Sequence, residues 1–104
     1  MKIEFVDERL ALIDTDRASE TRLPLAVIGS WHQRVVLIRA VPDARTLRNW
    51  RSLGYERIEV SGQHSIQLID QWRIVFELDE NRSPPVMIVL EIDEYQEVFG
   101  RVEV

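Results

Sequence analysis

The chain has 104 residues, no cysteine and a net charge of −5 at pH 7, with a sequence pI near 5.0. This length suits one domain spanning residues 1–104. It excludes disulfides and thiolate metal sites, and the acidic balance argues against general affinity for phosphate backbones. No apolar run reaches the roughly 20 residues of a membrane span, and the opening "MKIEFVDE" is unlike a signal peptide, so the expected compartment is the cytoplasm.

"KIEFV" alternates and predicts a short first strand. "DERLALIDTDR" offers Asp7 as an N-cap with Leu10, Ile13 and Asp14 at helical spacing, which predicts a short helix; the polar "ASETRL" reads as a loop. A longer helix begins at Pro24, a residue suited to a first turn. Leu25, Ile28, Trp31, Val35 and Ile38 form its apolar stripe and Pro42 ends it. Asp43 is placed to cap a last short helix in "ARTLRNW". His32 and the three tryptophans read as surface and as core or rim residues, respectively.

From Tyr55 the period becomes two. "YERIEV" and "HSIQL" read as strands separated by Gly62, and a turn at 69–70 or 70–71 leads into "QWRIVFEL". There Trp72, Ile74, Phe76 and Leu78 share one face; Arg73, Val75 and Glu77 share the other. "DENRSPP" is a loop, and "VMIVLEI" is apolar enough for an internal strand covered on both faces. The expected fold is therefore α+β, with N-terminal helices packed on one face of a mainly antiparallel sheet. The Arg73 face is expected to stay open.

Twelve of the thirteen cations are arginines, the side chain best shaped to fork onto phosphates. Residues 1–76 carry a balance of +1 and residues 77–104 a balance of −6. Arg45, Arg48, Arg51 and Arg57 cluster before the hairpin. His64 opens the strand facing Arg73 and is assigned to packing ahead of acid–base work. Asp93, Glu94 and Glu97 lack His or Cys partners, so no metal site is expected.

The segment "SGQHSIQLIDQWRIVFELDE" followed by "VMIVLEIDEYQ" resembles the second half of HigB-like toxins of the RelE/ParE superfamily. The counterparts are residues 62–66, 71–74, 90–92 and 94–96, and the likeness covers about residues 55–96, extending to the helical half by pattern and length. The resemblance implies a RelE/ParE-like two-layer fold and the toxin of a type II toxin–antitoxin pair, a ribosome-dependent endoribonuclease that cuts messenger RNA without a metal or other cofactor. By position it makes Arg73, Tyr95, Glu94 and Gln96 the catalytic set. Arg57, Arg51, Arg48 and His64 are the expected RNA-binding residues. Its implied partners are a cognate helix-turn-helix antitoxin, the ribosome and messenger RNA, with no membrane and no direct DNA binding by this chain alone.

The sequence departs from that family at two places. Gln96 stands where the family has a histidine, and residues 58–61 replace a longer basic loop with one lacking any cation. These departures define the alternative: a non-nuclease or degenerate superfamily member that binds an antitoxin or inhibits gyrase.

Overall fold

A computed structural model describes residues 1–58 and 60–94. The chain is α+β, with helices on a mixed five-stranded sheet. Strand β1 (Lys2–Phe5) leads into two short 3₁₀ turns, Leu10–Asp14 and Ala18–Thr21. Helices α1 (Leu25–Ala40) and α2 (Ala44–Asn49) follow, then a 3₁₀ turn at Arg51–Leu53. Strands β2 (Glu56–Arg57), β3 (His64–Gln67), β4 (Trp72–Asp79) and β5 (Val86–Glu94) follow among the described residues. The sheet order is β1-β5-β4-β3-β2. β1 runs parallel to β5, and the other three pairings are antiparallel.

Helix α1 lays Val27, Ile28, Trp31, Val35 and Ile38 into the core. Across from them the sheet contributes Ile66, Ile74, Phe76, Met87, Val89 and Ile92. Burial of this apolar area is the dominant favourable term in the fold. Leu25 is a correction to the expected stripe: it opens α1 and is 81% exposed, and Val27 takes the inward place instead. Trp31 is fully enclosed, and its Nε1 donates to Asp14 Oδ1 at 3.3 Å. Asp43 accepts from Thr46 N at 2.8 Å, the cap expected of it. The Met1 ammonium donates to the carbonyls of Arg39 (3.0 Å) and Val41 (2.6 Å), so the chain start ties down the last turn of α1.

Three further expectations are corrected. The expected helix near residue 10 is a single 3₁₀ turn, because Asp7 Oδ1 takes Arg9 N at 2.8 Å and the Thr15 hydroxyl closes on Leu12 O at 2.7 Å. The expected loop "ASETRL" contains its own 3₁₀ turn. Among the described residues of "YERIEV", Glu56 and Arg57 alone pair in the sheet: Ile58 N bonds Gln63 O and Gly62 N bonds Ile58 O, both at 2.8 Å, so the chain turns instead of continuing the strand. Gly62, at φ +73°, permits that turn.

The Arg73 face is also less open than expected. Ser65, Val75 and Val86 lie on it by register and are each 1% exposed. The extra residue in β5 is Leu90: Val75 pairs with Glu91, but Phe76 pairs with Val89. This bulge keeps Ile92, Val89 and Met87 on the helix-covered face on both sides of the shift.

Candidate functional site around Arg73

The β3–β4 hairpin places Arg73. Leu68 N bonds Trp72 O at 2.8 Å, and Trp72 N bonds Ile69 O at 3.0 Å, closing a loop of Ile69, Asp70 and Gln71. Asp70 takes the left-handed conformation at φ +56°, which Asp tolerates better than most residues, so the turn forms without a glycine. The resulting register sets Arg73 between Gln67 on β3 and Asp93 on β5.

From there the guanidinium leans diagonally across β3. Its Nε donates to Ser65 Oγ at 2.8 Å, and Nη2 donates to the carbonyl of Gly54. The Glu56 carboxylate lies 3.8 Å from Nη2. Only 14% of the Arg73 side chain is exposed, against 70% for Glu56. Gly54 sits at φ +61°, and a Cβ there would lie 2.8 Å from Gln67 Cβ and 2.9 Å from its Oε1. The backbone reaches Arg73 because residue 54 has no side chain.

The electrostatics of this face are mixed. Register puts Glu56, Glu77, Glu91 and Asp93 on the same side of the sheet as Arg73, all four exposed. Arg73 is thus a firmly held cation in a field of carboxylates.

His64 occupies a different environment. It pairs with Phe76 on β4 and Arg57 on β2, on the helix-covered face. Its ring stacks on Phe76 with centroids 5.4 Å apart and planes at 23°, and Nδ1 lies 2.5 Å from the Tyr55 hydroxyl. Burial lowers its pKa below 6.5, and the charges of Arg48 and Arg57 lower it further. The ring is half-buried and packed against Phe76. Arg48 pairs with Glu80 at 3.3 Å, and Arg51 and Arg57 are exposed.

The expected site residues therefore fall into two groups. Arg48, Arg57 and His64 share one electrostatic neighbourhood on the helix side, and Arg73 faces the opposite way. Glu94 is exposed at the end of β5, in register with Trp72 and not with Arg73. Tyr95 and Gln96 lie outside the described residues. Sequence reasoning missed Gly54, Glu56, Ser65 and Asp93 as the surroundings of Arg73. One signal was available: a serine in an apolar strand. A groove lined in part by Arg9, Leu10, Leu23, Leu90 and Ile92 contains none of the expected site residues.

No group of three or more His, Cys, Asp or Glu able to hold a metal ion occurs among the described residues. No described helix is long and apolar enough to cross a membrane. No protein-family model, curated protein or solved structure matches the chain.

Proposed function

We propose that this chain is a HigB-like toxin of the RelE/ParE type, held in check by a cognate antitoxin, and that it cleaves messenger RNA on the ribosome with Arg73 as its phosphate-facing group. The supporting observation is the anchoring of that guanidinium by Ser65 and Gly54 within the hairpin that carries the resemblance. A cation oriented before its ligand arrives spends nothing on reorganisation during reaction.

In this reading the 2′-hydroxyl of one nucleotide attacks the adjacent phosphorus. The O–H proton passes to a base, a phosphorane forms, and the 5′-oxygen leaves with a proton. Arg73 donates to the phosphoryl oxygens as their charge grows, a contribution of about 100- to 1,000-fold in rate for a well-placed donor. By position Glu94 is the candidate base and Tyr95 the group lying against substrate. Gln96 donates or accepts hydrogen bonds but does not exchange a proton near neutral pH. Arg48, Arg51 and Arg57 are offered as contacts to RNA away from the reacting phosphate.

The second reading, a non-cleaving member that acts through protein partners, is favoured by the carboxylates around Arg73. Glu56, Glu91 and Asp93 oppose the approach of an anion.

Expression in a bacterium, as wild type and as Arg73→Ala, separates the two. Growth arrest and message cleavage that vanish with Arg73→Ala support the nuclease. Arrest without cleavage supports the second reading, and a gyrase assay then tests its branch. A wild type that neither arrests growth nor cuts message overturns the nuclease.

A further inference from the structure

The geometry points to Ser65 as the residue that sets the direction of the Arg73 guanidinium, a positioning role that rests on the reading of Arg73 given above. Ser65 is the one buried polar residue among those described, at 1% exposure. It lies between His64 and Ile66 in β3, where a β-branched apolar residue would satisfy the sheet. A hydroxyl in such a place costs free energy unless it is hydrogen-bonded. Its chief bond is the one accepted from Arg73 Nε at 2.8 Å, and its own proton points to Glu56 O at a long 3.5 Å.

The arrangement is specific in direction. Ser65 pairs with Val75 and Arg73 pairs with Gln67, so the arginine reaches its serine along the diagonal of the ladder. A guanidinium is planar, and fixing Nε and Nη2, which share one of its edges, defines both its plane and its heading. Gly54 supplies the second point, with its carbonyl brought close because residue 54 carries no Cβ. These bonds use two of the five N–H donors of an arginine. They set where the remaining edge of the fork points, whatever that edge meets. Loss of the Ser65 hydroxyl leaves the charge of Arg73 intact but removes the anchor on its Nε, one of the two points that fix its plane.

The test uses Ser65→Thr and Ser65→Val, nearly equal in shape and different in the hydroxyl, with Ser65→Ala as a smaller third variant. Steady-state kinetics of message cleavage on programmed ribosomes are read beside thermal midpoints. Ser65→Val and Ser65→Ala should lower kcat about 10- to 100-fold, the cost of a misplaced group, with KM within about twofold because long-range attraction to RNA is unchanged. Ser65→Thr should recover most of kcat. The side-chain Nε–H resonance of Arg73 should exchange slowly in wild type and Ser65→Thr and rapidly in the other two.

Equal kcat for Thr and Val overturns the proposal, as does a wild-type kcat for Ser65→Ala. If Arg73→Ala itself cleaves like wild type, the reading of Arg73 falls and takes this role with it. If Arg73→Ala is inactive and all three Ser65 variants are fully active, only the positioning role falls.

Discussion

The Tyr55 hydroxyl and His64 Nδ1 share a hydrogen bond across 2.5 Å, bridging the chain just before β2 to the first residue of β3. Burial, and then the charges of Arg48 and Arg57, hold the His64 pKa below its ordinary 6.5 in the folded protein. The unfolded chain therefore binds the proton more readily than the folded one. The stability that depends on neutral His64 is complete above about pH 6.5 and falls as pH drops toward the folded pKa. Thermal midpoints from pH 7.5 to 5.5 should decline in wild type and decline less in His64→Gln. Equal slopes would show that other groups set the acid sensitivity.

Glu56 opposes any anion approaching Arg73, although its own pairing at 3.8 Å is exposed and weak. Glu56→Gln should change stability by less than about 0.5 kcal/mol, as exposed pairs commonly do. Removing a negative charge beside the guanidinium should strengthen binding of a short RNA about two- to fivefold at low salt, and the gain should shrink as salt screens it. Fluorescence anisotropy at two ionic strengths measures both. Unchanged affinity at low salt would mean that RNA does not approach this face.

The parts of this molecule that were legible in the sequence are those set by local periodicity. Ile28, Trp31, Val35 and Ile38 declare α1, Asp43 declares α2, and the alternation from Trp72 to Leu78 gives both faces of β4. Sheet order was not legible. β1 is a four-residue strand whose parallel seat beside β5 follows from tertiary packing, with the Met1 ammonium fixed on the end of α1. The surroundings of Arg73 were hidden for the same reason. Gly54 precedes it by 19 residues and reaches it only after the 3₁₀ turn at Arg51–Leu53 folds back. The resemblance directed attention to Arg73 and its matched stretch 62–66 includes Ser65, but it assigned neither Ser65 nor Glu56 a place beside the guanidinium.

The Met1 ammonium replaces a side-chain cap at the end of α1, donating to Arg39 O and Val41 O. A cation at a helix C-terminus also interacts favourably with the helix dipole. Acetylation of this amine removes the charge and leaves at least one of the two acceptors short of a donor. Stability should fall by about 1–3 kcal/mol, the cost of an unsatisfied buried polar group. Chemical denaturation of acetylated and free-amine protein checks this, and equal midpoints would place the anchoring in the Met1 side chain alone.

Gly54→Ala tests how closely the backbone must approach β3. The left-handed φ of +61° costs a non-glycine residue about 1 kcal/mol. The larger effect is steric: the new methyl would sit 2.8 Å from Gln67 Cβ, which is fixed to the β3 backbone and gives way only if one segment moves. A total loss of about 2–4 kcal/mol is expected, comparable to other strained or overpacked substitutions. For a domain of this size that corresponds to a fall in Tm of roughly 8–32 °C, taking about 4–8 °C per kcal/mol. The double variant Gly54→Ala with Gln67→Ala retains the φ penalty and the Gln67 Cβ but removes the 2.9 Å contact to Oε1. It should recover only a minor part of the loss. Full recovery in the double variant would show that the Gln67 amide, and not the closeness of the two backbones, makes glycine necessary at residue 54.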